Sequence, residues 1–141
     1  MFNNPDDNEL KQLLKNAKRI AVIGASPKSE RASHGIARYL LQQGYEMIPV
    51  NPMYDEILGE KTYPDLKSIP GEIDIVDVFR KPEAVMPVAE EAIEAGAKAL
   101  WLQQGVINQQ AAEKAIGAGL TTVMDLCIYM EHLRLIRSEQ V

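Results

Sequence analysis

The chain has a single cysteine, Cys127, which excludes an internal disulfide framework and a multi-cysteine metal site. It has two histidines, His34 and His132. They lie far apart, in no spacing that suits zinc. No apolar run approaches the roughly 20 residues that span a bilayer. The acidic start, Met1 to Asp7, lacks a signal-peptide core, and a cytoplasmic protein without a membrane role is expected. Positive charge is also short: the formal net charge is −5, and the cations are scattered rather than gathered into the basic face that nucleic acid requires. What is present is ordinary for a globular chain, with 46% apolar and 25% charged residues over 141 positions. One domain over 1–141 is expected, with no linker and no low-complexity segment.

That domain is organised around one stretch. The β-branched run Ile20-Ala21-Val22-Ile23 ends in Gly24-Ala25-Ser26, a polar and partly cationic loop follows through Lys28, Arg31 and Ser33, and His34 to Leu41 reads as a helix. Strand, glycine turn and helix N-terminus make an anion site, because the first N–H groups of the helix and the positive end of its dipole face the turn.

Before this stretch, Asn4-Pro5-Asp6-Asp7 reads as a helix start with Asn4 as cap, and Leu10, Leu13, Leu14 and Ala17 form one apolar stripe of an N-terminal helix over 1–18. After it, one device recurs three times: a helix, a glycine stop (Gly44, Gly96, Gly119), and a short strand at once. Strands are expected at 19–24, 45–50, 73–79, 99–102 and 121–124, the first near-continuously apolar as in a parallel sheet buried on both faces. Helices are expected at 33–43, from Pro82 or Glu83 to Ala95, and after Asn108 as cap. A short helix is expected at 65–69, and a closing segment, helical from Cys127 to Ile136, at 126–141. Glu90 and Glu91 read as a solvated acid pair. The fold class is α/β: a Rossmann-like, open, mainly parallel five-stranded sheet with helices on both faces, in three layers.

In such a sheet, ligands bind beyond the carboxyl ends of the strands. Three features narrow the ligand. After Gly24 the next glycine is Gly35, so the short G-x-G-x-x-G turn of NAD sites is absent. Strand two ends in Val50-Asn51-Pro52, without the acid that would hold an NAD ribose hydroxyl. Lys28, Arg31, Arg80 and Lys81 are placed to converge near an adenosine ribose, where an extra phosphate suits them better than a hydroxyl does. These residues point to NADP or coenzyme A rather than NAD.

The strings Ile20–Ser26, Ile48-Pro49-Val50-Asn51-Pro52, Val76-Asp77-Val78-Phe79-Arg80, Trp101-Leu102-Gln103-Gln104-Gly105-Val106 and Val123-Met124-Asp125 with Cys127 resemble the small bacterial and archaeal CoA-binding proteins. Those are stand-alone domains similar to the N-terminal CoA-binding domain of the succinyl-CoA synthetase α subunit, and the resemblance runs over roughly Leu13 to Leu135. It implies a CoA-binding Rossmann-like fold with coenzyme A as the cofactor. It further implies phosphates held by Gly24, Ala25, Ser26 and the loop to Ser33, adenosine against Asn51 and Pro52, the nucleotide beside Phe79, Arg80 and Lys81, and pantetheine near Gln103 and Gly105. At the end of strand five the chain has Asp125-Leu126-Cys127 where the family often carries Asp-Arg-Cys, which removes one cation.

Chemistry beyond binding has little support in the sequence. Neither histidine has a ligase context, and no Ser-His-Asp ordering or paired-carboxylate site stands out. Cys127, at the start of a helix on the ligand edge, is the one candidate for reaction: a helix N-terminus favours thiolate, and thiol exchange with CoA is one reading, a buried inert cysteine the other. The expectation is a CoA or acyl-CoA binding protein without catalysis of its own, acting as a carrier, sensor or thiol-redox partner. An NADP-dependent oxidoreductase and a CoA-binding subunit of a ligase-type complex are the alternatives, with a homo-oligomer or an enzyme partner left open.

Overall fold

The computed structural model describes residues 2–139. The main sheet has five parallel strands: β1 (Arg19–Ile23), β2 (Glu46–Val50), β5 (Ile75–Val78), β6 (Ala99–Leu102) and β7 (Thr121–Met124), in the order β2-β1-β5-β6-β7. Helices α1 (Asp7–Asn16), α2 (Ala32–Gln42) and α5 (Ile128–Leu135) share one apolar cluster with Ile20, Val22, Met47 and Trp101. Helices α3 (Val85–Glu94) and α4 (Gln109–Gly117) cover the opposite face, packed with Ala21, Ile23, Val76 and Leu100. The alternation along β1 shows why its run is apolar throughout: consecutive side chains enter different cores. The expected three-layer α/β/α arrangement is therefore the observed one.

The glycine stops hold. Gly44, Gly96 and Gly119 have φ of +94°, +71° and +94°, the left-handed conformation that ends a helix and turns the chain into the next strand. Asn108 caps α4 by accepting the Ala111 N–H.

Some local expectations fail for physical reasons. Asn4 does not cap α1; Asp6 does, accepting from the Glu9 N–H. Asn4 instead donates to the Met124 carbonyl and accepts its N–H, fastening the N-terminal segment to the end of β7. Residues 65–69 form a turn, not a helix, with Asp65 accepting from both N–H and hydroxyl of Ser68. Glu90 and Glu91 are engaged rather than merely solvated: Glu90 pairs with Lys114, and Glu91 accepts the Leu66 N–H. A two-stranded antiparallel hairpin, β3 (Glu56–Ile57) with β4 (Glu60–Lys61), lies within the long connection after β2. The helix expected from Pro82 begins as a single 3-10 turn over Pro82–Ala84 before α3. Of the closing segment, Gln140 and Val141 lie outside the described residues, as does Met1 of the N-terminal segment.

Candidate ligand cleft at the carboxyl edge

The sheet order reverses between β1 and β5: β2 lies on one side of β1, and β5, β6 and β7 follow on the other. A cleft of about 420 Å³ opens there, beyond the carboxyl ends of β1, β2 and β5, where an open parallel sheet offers its crevice.

Gly24 forms its floor. Its φ is +82°, and a Cβ there would lie 2.2 Å from the Phe79 carbonyl oxygen and 2.8 Å from an Arg80 guanidinium nitrogen. Only glycine lets the β1 turn and the end of β5 approach so closely. The same contact places the Arg80 side chain over the glycine turn. The loop after Gly24 is internally tied: the Ser26 hydroxyl accepts the Lys28 N–H, and Nδ1 of His34 lies 3.0 Å from the Ser26 carbonyl. A carbonyl only accepts, so the proton is assigned to Nδ1. His34 is thus half-buried behind the loop. The Asn51 side chain donates to the Ala25 carbonyl and accepts the Met53 N–H, joining the β1 and β2 loops.

Helix α2 points its first turn at this loop. Its N-cap, Arg31, offers no side-chain acceptor to the first N–H groups, unlike α1 and α4, which are capped by Asp6 and Asn108. The open N–H groups and the dipole favour an anion.

Of the residues singled out in the sequence, Gly24, Ser26, Lys28, Arg31, Ser33, Asn51 and Phe79 line one cleft. Ala25 is buried beneath it, and Pro52 is exposed beside it. Lys81 is exposed at the start of the 3-10 turn, further from the lining. Gln103, Gly105 and Cys127 lie along the same edge but outside this cleft. Gln103 is 4% exposed, and its side-chain oxygen accepts the Ile128 N–H, capping α5. Gly105 donates to the Asp125 carboxylate across the β6 and β7 loops. Cys127 is half-buried at the N-cap of α5. Trp101 is fully buried and donates to the Leu126 carbonyl, so core packing is its role.

Two cleft residues were not read from the sequence. Met53 and Tyr54 line the mouth and are 78% and 38% exposed. Their position just after Asn51 and Pro52, among the loops that follow the strands, was the available signal. A third residue, Asp77, was passed over inside its strand. It is fully buried, with Val22 and Trp101 as its register neighbours in β1 and β6, and neither carboxyl oxygen has a hydrogen-bond partner. Burial pushes its acid well above the ordinary aspartate range.

The electrostatics of the cleft are one-sided. Lys28, Arg31, Arg80 and Lys81 have no acid partner among the described residues. Cations elsewhere, such as Arg19, Lys98, Lys114 and Arg134, are paired. Among the described residues no group of histidine, cysteine and acidic side chains could hold a metal ion.

The family model described as CoA binding domain matches residues 18–133. The chain belongs to the CoA-binding domain family. The uncharacterized protein YneT of Bacillus subtilis is 46% identical over 129 residues, covering 92% of this chain and 96% of that protein. A solved structure, a hypothetical protein from Pyrococcus horikoshii OT3, superposes with a TM-score of 0.92 at 42% identity, covering 96% of this chain and 98% of that one. An ADP-forming acetate–CoA ligase of Archaeoglobus fulgidus is 29% identical over 123 residues, covering 80% of this chain but 18% of the ligase. This CoA-binding domain is thus similar in extent to YneT and to the Pyrococcus protein, and it matches only one portion of the ligase.

Proposed function

We propose that this CoA-binding domain binds coenzyme A or an acyl-CoA in the cleft at the carboxyl edge and carries, senses or presents it without catalysis of its own. One observation carries the reading beyond family membership: Lys28, Arg31 and Arg80, without acid partners among the described residues, gather around a glycine turn and an uncapped helix N-terminus. A ligand with a pyrophosphate and a ribose phosphate supplies the missing negative charge. In this reading the loop from Gly24 to Ser33 holds the pyrophosphate, and Arg31, Arg80 and Lys81 meet the ribose phosphate. Asn51, Pro52 and Tyr54 flank the adenosine. The pantetheine runs along the edge past Gln103 and Gly105, and its thiol ends near Cys127. There the Cys127 thiolate can attack the disulfide of oxidised CoA, forming a protein–CoA mixed disulfide and releasing one CoA thiolate.

Calorimetric titration with CoA, dephospho-CoA, NADP and NAD tests the assignment. CoA is expected to bind more tightly than dephospho-CoA and NAD. NADP binding without CoA binding would overturn it in favour of a nicotinamide-dependent function. The ligase match supports a second reading, in which the domain serves as the CoA-binding part of a larger ligase-type assembly. Its signature is co-purification with a ligase-like chain from the native source.

A further inference from the structure

The cleft is not the only hollow on the molecule. A groove of about 490 Å³ lies between α2 and α5 and meets the cleft at Ala32, which lines both. Its other walls come from Gly35, Ile36, Arg38, Tyr39, Tyr129 and Arg137. The lining holds two guanidinium groups and no carboxylate, in a chain of net charge −5.

Arg38 is exposed and has no acid partner among the described residues. Arg137, also exposed, lines the groove with Tyr39, whose hydroxyl is 2.7 Å from Nδ1 of the buried His132. No acid pairs with Arg137 among the described residues, so its guanidinium can turn its donors to an anion in the groove. The apolar wall is also ordered: Tyr39 and Tyr129 meet edge to face, with ring centroids 4.5 Å apart at 85°.

The position of Gly35 is the second observation. It lies within α2, where glycine is a poorer helix former than alanine. Its φ is not positive, and a Cβ there would meet nothing within 4 Å. Neither the backbone nor the packing of the described residues asks for glycine. What its missing side chain does is keep the groove open beside Arg38 and Tyr39, which lie on the same helical face.

We propose that the α2–α5 groove is a second binding site, for a small organic carboxylate with an aromatic or branched apolar body. The carboxylate is held by Arg38 and Arg137, and the body lies over Gly35 against Ile36, Tyr39 and Tyr129. A bare anion such as phosphate would leave the tyrosine and isoleucine walls unfilled, and a neutral apolar molecule would leave both guanidiniums unpaired. The volume falls in the range of small-molecule pockets, about 300–1,000 Å³. The inference does not rest on CoA binding, and its test uses no nucleotide.

Phenylacetate is a suitable probe, with 2-phenylethanol and acetate as its neutral and body-less counterparts. Two-dimensional NMR titration of the full chain should give saturable shifts at Gly35, Tyr39, Tyr129 and Arg137 with phenylacetate. The two counterparts should bind at least about tenfold more weakly, a difference of about 1.4 kcal/mol. Gly35→Leu should block the groove and abolish the shifts while the melting temperature does not fall. If that variant proves unstable, Arg38→Ala, at an exposed position, serves instead and should weaken binding about tenfold. Equal binding of phenylacetate and 2-phenylethanol, equal binding of acetate, shifts confined to the Ser26–Ser33 loop, or no saturable shift would each overturn the proposal.

Discussion

The two edges of the sheet are built from similar residues to different ends. At the amino edge, charges are matched. Arg19 pairs with Glu46, Lys98 lies near both Asp74 and Glu72, and Asp74 accepts the backbone N–H groups of Lys18 and Arg19. A hollow lined by Asp74 and Lys98 also opens there, but its charges already answer one another. At the carboxyl edge, Lys28, Arg31, Arg80 and Lys81 are unanswered among the described residues. Volume alone therefore does not separate a structural edge from a binding edge. Unpaired charge beside a close backbone approach does.

The glycines at the two edges give the largest expected contrast. Gly24 and Gly71 both have positive φ, +82° and +85°. At Gly24 the obstacle to a side chain is backbone, the Phe79 carbonyl at 2.2 Å. At Gly71 it is the tip of the Arg19 side chain at 2.9 Å, which can swing away. Gly24→Ala should therefore cost about 3 kcal/mol or more, since the strain of positive φ adds to a backbone clash, and Gly71→Ala only about 1 kcal/mol. Denaturant unfolding of the two variants checks this, and equal losses would mean that β1 and β5 part without penalty.

Two aspartates of the same segment give the next contrast. Burial opposes ionisation of Asp74, but the Arg19 and Lys18 N–H groups, followed by Lys98, outweigh it and hold its carboxyl below 3.8. Asp77, with no such donors, is held well above 3.8 by burial. The signs follow by linkage. A depressed carboxyl contributes stability that is present above 3.8 and lost as pH falls through its folded value. A raised one makes the unfolded chain ionise first, so stability falls as pH climbs from 3.8 toward the folded value. Relative to the parent, Asp77→Asn should become more stable with rising pH, by up to about 1.4 kcal/mol per unit over that window. Asp74→Asn should lose its deficit as the solution is acidified. Unfolding measured from pH 2 to 8 distinguishes the two, with the Asp74 effect confined below 3.8 and the Asp77 effect above it, and parallel curves would refute the assignment.

Much of this architecture was legible because its signals are local. Apolar runs closed by glycine stops identify parallel strands and place the residues that follow them at one edge, which is how Gly24, Arg31, Asn51 and Phe79 were brought together in advance. The hairpin was not legible. Its strands are two residues each, and its turn sets Leu58 at φ +56°, a conformation that leucine does not advertise. Asn4 was misread because its partner is Met124, 120 residues away. Asp77 was lost inside an apolar run, although one acid in a strand buried on both faces is itself a signal of an unusual environment. The cap that Gln103 gives α5 depends on two loops meeting, which spacing does not reveal.

Charge removal tests the edges through binding. Arg80→Ala should weaken CoA about tenfold and dephospho-CoA less, if its guanidinium meets the ribose phosphate. Arg19→Ala, at the other edge, should leave CoA affinity unchanged while loosening the tie to Glu46. Raising the salt concentration should weaken CoA binding to the parent more than to the Arg80 variant, because part of the attraction it screens has already gone. Equal losses for both nucleotides would move Arg80 away from the ribose phosphate.

The smallest expected effect on the fold is at Cys127, and it bears on the far end of the same edge. The thiol is half-buried at the N-cap of α5 and makes no side-chain capping bond, so Cys127→Ser should change stability by no more than about 0.5 kcal/mol. Its effect on chemistry should be complete. Incubation of the parent with CoA disulfide should add one CoA to Cys127, reversibly with dithiothreitol, and the serine variant should take up none. Mass spectrometry reads both. The half-burial of Cys127 matters here, because a thiol sealed in the core would be inert, and one fully in solvent would react with glutathione disulfide as readily as with CoA disulfide. A clear preference for CoA disulfide would show that the cleft delivers the ligand to this cysteine. Equal rates would leave the cleft and Cys127 as neighbours on one edge with no shared ligand.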